Sequence, residues 1–122
     1  MTVLEIGNKL VELSKQGKNL EAIQTLYSPN IVSVEAMSTP EMPAEMRGME
    51  AILGKNKWWF DNHTVHSASC EGPFPHGDRF IVRFSFDITN KPMQRRMQMD
   101  EMGLYTVEGG KIVREEYFYN MG

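Results

Sequence analysis

Carboxylates are concentrated where an alternating strand would aim some of them at an apolar interior: Glu35, the pair Asp100-Glu101 and the pair Glu115-Glu116. A carboxyl held against Met and aromatic side chains loses hydration, and its pKa climbs toward neutrality. It is then suited to taking a proton from a carbon next to a carbonyl. Side chains alternate along a strand, so only one member of each adjacent pair faces inward. The competing expectation is that these acids lie outside, in cross-strand pairs with Arg96 and Arg114. His63 and His66 suggest a metal, but three residues apart on a strand they face opposite sides and lack a third ligand, so no metal site is expected. His63, where a helix gives way to a strand, is instead a candidate pocket proton donor. Trp58-Trp59-Phe60 is the densest aromatic cluster; on a helix one tryptophan would line a pocket and stack on a planar ligand. No Gly-rich phosphate loop, nucleophile elbow or Cys/His nucleophile pair occurs.

The elements that must position these groups are legible from capping and period. Thr2 and Glu5 form a capping box ahead of Ile6, Leu10 and Leu13, and Gly17 supplies a stop, which predicts a helix over 2–16. Asn19 is read as the cap of a second helix carrying Leu20, Ile23, Leu26 and Tyr27, ended by Ser28-Pro29. Residues 31–35 alternate as a short strand, and 36–47, with Pro40 and Pro43, read as a loop. Gly48 opens a third helix whose stripe is Met49, Ile52, Leu53, Asn56, Trp59 and Phe60. From His63 the period changes to two. Strands are expected over 63–71, 79–89, 93–107 and 111–119, with turns at 72–78 and at Gly109-Gly110. In the clearest strand Phe80, Val82, Phe84, Phe86 and Ile88 share one face.

Helices first and strands afterwards make an α+β class, and 122 residues suffice for a single domain over 1–122 with its own core. A net charge of −3 is the wrong sign for a nucleic-acid partner. No apolar run is long enough for a membrane span and no signal peptide is visible. The single cysteine, Cys70, fits a cytoplasmic location. Methionine is frequent, 10 residues, and lines adaptable apolar surfaces as readily as it fills cores.

The stretches Leu20-Glu21-Ala22-Ile23 through Tyr27-Ser28-Pro29-Asn30-Ile31, the entry Arg47-Gly48-Met49-Glu50-Ala51-Ile52, and above all the ending from Tyr105 to Tyr119 resemble the SnoaL-like branch of the nuclear transport factor-like superfamily. The resemblance implies three N-terminal helices packed into the concave face of a strongly curved antiparallel sheet, a cone-shaped barrel with an interior pocket. It also implies a homodimer through the outer sheet face, here Ile81, Arg83, Ser85 and Asp87. Isomerase-like members place a carboxylate base where Glu35 stands, although their first-helix tyrosine is missing here. Cyclase-like members place an acid/base carboxylate on the late strands, which makes Glu116 and Glu101 the expected inward pair. Candidate catalytic residues are therefore Glu35, Glu116, Glu101 and His63. Candidate ligand-binding residues are Trp58, Trp59, Phe60, Met49, Phe84, Phe118 and Met99. Three functions follow, none calling for a cofactor: an isomerase, cyclase or dehydratase, a binding protein for a small apolar molecule, or a dimerisation module with a vestigial pocket. The superfamily hosts all of these, so the pocket groups must decide.

Overall fold

The computed structural model describes residues 1–38, 40 and 42–119. Its elements run α1 (Val3–Lys15), α2 (Asn19–Leu26), β1 (Tyr27–Val34), β2 (Glu45–Arg47), α3 (Met49–Asn62), β3 (His63–His76), β4 (Arg79–Asn90), β5 (Arg95–Glu108) and β6 (Lys111–Phe118). The fold is α+β, with one 6-stranded sheet in the order β2-β1-β6-β5-β4-β3.

The capping box forms as expected: Thr2 accepts from the Glu5 backbone N–H and Glu5 accepts from that of Thr2. At α2 the cap is Lys18, which makes no side-chain hydrogen bond, and Asn19 is the first helical residue. That helix ends a residue early. Tyr27 is extended and opens β1, because its aromatic ring is needed on the buried side of the sheet.

Three further expectations are corrected. The helices are not all N-terminal, since β1 and β2 precede α3. The sheet is mixed, because β1 runs parallel to β6 while the other pairs are antiparallel. Residues 72–75 are not a turn: β3 continues through them on β4 with a bulge between Glu71 and Phe74, and the hairpin turn is Gly77-Asp78 alone. Bulges bend a strand while keeping it paired, which is how Gly72 and Pro73 stay in an element that composition reads as broken. Within the expected loop 36–47, β2 pairs with β1; Thr39 and Glu41 lie outside the described residues.

The core lies between the helices and one face of the sheet. Ile6, Leu10, Leu13, Ala22, Ile23, Leu26 and Ile52 from the helices meet Ile31, Phe80, Val82, Phe84, Tyr105, Val107 and Ile112. Helix α1 crosses β3 and β4 closely because Gly7 has no side chain: a Cβ there would lie 2.8 Å from the Pro73 ring and 3.4 Å from Phe80. No described helix is long and apolar enough to cross a membrane.

Gly7→Ala tests this approach. The ~1 kcal/mol that alanine gains in helix propensity is outweighed by overpacking against a rigid ring, costing about 1–3 kcal/mol. The expected net result is a lower urea midpoint; a higher one would show that α1 can move away.

Candidate functional site

The register of β5 and β6 decides which acids look toward the helices. On β5, Glu101 lies opposite Phe84 and Met99 opposite Phe86, on the helix side. Asp100 lies opposite Ser85 on the outer face and accepts its hydroxyl at 2.6 Å. On β6 the inward residues are Glu115 and Tyr117. Glu115 is 2 % exposed, whereas Glu116 turns outward and pairs with Arg114 at 3.1 Å. The expected inward pair is thus corrected in one member: it is Glu101 and Glu115. The cause is the irregularity in the β5–β6 ladder between Thr106 and Val107, which shifts the alternation of the last strand. The same shift puts Phe118 outside, 55 % exposed.

Glu115 sits at the bottom of a buried polar cluster. Its Oε1 accepts from Ser33 Oγ at 2.8 Å, and its Oε2 accepts from Tyr117 at 2.7 Å and from Tyr27. The Tyr105 and Tyr117 hydroxyls are 3.3 Å apart. Burial, then the Glu115 charge, pushes the phenols of Tyr27, Tyr105 and Tyr117 well above their usual range, so they stay hydroxyl donors. Gly103 makes room for this arrangement: a Cβ there would meet the Tyr105 ring at 2.8 Å.

Lys55, from α3, carries the cluster upward. Its Nζ donates to Ser33 Oγ at 2.6 Å and to Glu35 Oε1 at 2.6 Å, and lies 5.1 Å from the centre of the Tyr117 ring. Both partners of the ion pair are largely enclosed, with side chains 13 % and 18 % exposed. Glu35 also accepts from the Tyr119 hydroxyl, whose pKa is raised by burial and then by the Glu35 charge. Glu35 is therefore at the site, but as the counter-ion of Lys55.

Glu101 is left over. It is half-buried, and among the described residues it has no hydrogen-bonding partner. Desolvation, reinforced by Glu35 and Glu115 and opposed by Lys55, pushes its carboxyl up to about 7. It alone among these acids combines enclosure with a free carboxyl.

Beside Glu101 stands an aromatic wall. Trp59 stacks on His63 at 4.5 Å and 19°, and lies against Phe86 at 5.5 Å; Phe86 is parallel to Phe84 at 6.0 Å. His63 Nδ1 is 2.8 Å from the Trp59 carbonyl, which can only accept, so Nδ1 carries a proton. Of the other expected lining residues, Met99 is half-buried on the Glu101 face, and Met49 packs against the core. Trp58 and Phe60 are 47 % and 40 % exposed. His66 instead bonds Thr89 on the far side. Among the described residues no three His, Cys, Asp or Glu side chains converge as metal ligands.

Sequence pattern did not point to Ser33, Lys55 or Tyr27, and of the pair Glu115-Glu116 it favoured the outward member. Lys55 is one polar residue among many on a helix, and only the crossing of α3 over β1 brings it to Glu35.

A family model described as SnoaL-like domain matches residues 1–119. The chain belongs to the SnoaL-like family. Its fold is that of a Mesorhizobium loti protein provisionally named a SnoaL-like polyketide cyclase, with carbohydrate phosphatase alongside. The two share 46% identity and a TM-score of 0.93, over 98% of this chain and 100% of that one. More distant solved structures with the same fold include a Bacillus subtilis protein provisionally named an isomerase (16% identity, TM-score 0.77, 98% and 90% covered). Another is a Jannaschia protein provisionally named a SnoaL-like polyketide cyclase (15%, 0.76, 98% and 85%). No curated protein sequence matches the chain.

The Glu101 carboxyl ties stability to pH. The folded chain holds this proton up to about pH 7, the unfolded chain only to 4.5. The folded state binds the extra proton between those values, so stability falls as pH rises through that window, on the order of 3 kcal/mol. Urea midpoints at about pH 5 and pH 8 check this. Glu101→Gln should flatten the profile; an unchanged slope in that variant would assign it to other groups.

Proposed function

We propose that a small, largely apolar molecule binds between the aromatic wall and the Lys55–Glu35 pair, and that Glu101 moves a proton on it. The observation that carries this reading is the enclosed carboxyl of Glu101, without a hydrogen-bonding partner among the described residues and poised near neutrality beside Trp59, Phe84, Phe86 and Met99. A base of this strength is matched to proton transfer at neutral pH. The Glu101 carboxylate takes a proton from a carbon next to a carbonyl, and the electron pair passes into the carbonyl as an enolate. The protonated carboxyl then returns its proton at the same or another carbon. A return at another carbon is isomerisation; capture of the enolate by a second carbonyl of the same molecule, whose oxygen then takes the proton, is cyclisation; loss of a β-hydroxyl as water with that proton is dehydration. The chain's own residues supply the acid–base group in all three cases.

The cyclase name of the Mesorhizobium relative favours this reading over its alternative, carbohydrate phosphatase. A phosphate ester calls for several free cationic or N–H donors, and the cation of this site, Lys55, is already engaged by Glu35 and Ser33. A second reading, ligand binding without turnover, draws support from Glu35, the carboxylate expected as the base, being tied to Lys55.

The chain acts as a homodimer in this proposal. On the outer face Phe74, Ile81 and Leu104 lie in register across three strands, and Met102 lies opposite Phe118. Phe74, Met102 and Phe118 are exposed, an apolar stripe of the kind that marks an interaction surface. Arg83, Ser85 and Asp87 would flank it as a polar rim.

Nitrobenzisoxazole, whose ring opens when a carboxylate removes one carbon-bound proton, tests the base directly. The expected rate rises with pH to a plateau above about 7 as Glu101 ionises. Glu101→Gln should lower kcat/KM at least about a hundredfold, and Glu35→Gln much less. A fully active Glu101→Gln protein would leave the binding reading standing. Sedimentation at micromolar concentration should show a dimer, and Leu104→Glu should dissociate it; a wild-type monomer would contradict the proposed interface.

A further inference from the structure

Resting on the acid–base site just proposed, we infer that its ligand is an organic cation with a flat apolar body, a protonated or otherwise cationic nitrogen compound rather than a neutral compound or an acid. The first ground is the wall itself. Trp59, Phe86 and Phe84 form a continuous run of ring contacts at 5.5 and 6.0 Å, and Glu101 lies directly across from Phe84 in the β4–β5 register. Ring faces carry negative charge and attract a cation, most strongly where water is excluded. An aromatic surface with a carboxylate beside it is complementary to an apolar cation at two points.

The second ground is the charge count. The groups facing Glu101 are Glu35 from the end of β1, Lys55 from α3 and Glu115 from β6, with the Tyr105 hydroxyl from its own strand. Beyond them lie Tyr119 and, at the α3–β3 junction, His63. Lys55 and Glu35 cancel in a direct ion pair, and Glu115 remains as a carboxylate fed by neutral hydroxyls. The local field is therefore negative whether or not Glu101 holds its proton. An anion entering here meets like charge, and a neutral molecule leaves that charge uncompensated. A cation supplies the missing counter-charge and favours the ionised, basic form of Glu101. A positive nitrogen next to the reacting carbon also makes its C–H more acidic, so the same charge that binds the ligand assists the proposed proton removal.

A matched set of probes separates the classes by calorimetry: naphthylmethylammonium, naphthylmethanol and naphthoate share one ring system and differ in charge. The ammonium is expected to bind at least about tenfold tighter than the alcohol, and the naphthoate weakest. The ammonium's affinity should rise between about pH 6 and pH 8 as Glu101 ionises. Glu101→Gln should abolish that rise and most of the preference, and Trp59→Leu should weaken the ammonium selectively. Because Glu101→Gln preserves size and shape, it carries the test even if Trp59→Leu fails to fold. Equal or tighter binding of the alcohol or the naphthoate would overturn the inference, as would absence of binding by all of them. If nitrobenzisoxazole is still opened through Glu101 in that case, the acid–base reading survives and only the ligand class falls.

Discussion

Glu115 is 2 % exposed, and its carboxylate is held by hydroxyls from Tyr27 and Ser33 on β1 and Tyr117 on β6. A carboxylate taken out of water is tolerable only when donors replace its hydration. These three come from the parallel pair of strands at the heart of the sheet, so the charge and the β1–β6 register depend on one another. Sliding β1 by one residue would turn Ser33 to the opposite face and leave the buried Glu115 carboxylate short of a donor, and sliding β6 would carry Glu115 away from all three.

The consequences propagate upward in steps. Ser33 gives its proton to Glu115, which leaves its oxygen free to accept from Lys55; Lys55, so anchored, reaches Glu35. With that pairing complete, Glu101 remains without a partner among the described residues, close enough to two carboxylates to feel both. Its unusual acidity is thus a product of assignments made elsewhere. A site in which Lys55 paired with Glu101 would have the opposite character, a suppressed base and an available Glu35.

Much of the frame was legible in the sequence because it rests on local rules. The Thr2-Glu5 capping box, the change of period at His63 and the five-residue alternation from Phe80 to Ile88 all depend on nearest neighbours, and all appear in the fold. The inward placement of Glu101 follows from the same alternation. What escaped depends on contacts between distant segments. The irregularity at Thr106 and Val107 reverses the parity of the last strand, exchanging Glu116 for Glu115 and Phe118 for Tyr117. The passage of β3 through Gly72-Pro73 is sustained by pairing with β4 against local turn chemistry. The Lys55–Glu35 bridge joins residues that no spacing rule connects. Sequence pattern therefore located the strands that hold the site and left its charge assignments to be settled by packing.

The chemistry of the site turns on Glu101 being the acid that Lys55 leaves alone. Carbon-detected NMR of the side-chain carboxyls, with Glu101 assigned through Glu101→Gln, measures this without any ligand. A Glu101 midpoint near 7, moving down when Glu35→Gln frees Lys55, is the predicted result. A midpoint near the ordinary 4.5 in the wild-type chain would contradict it.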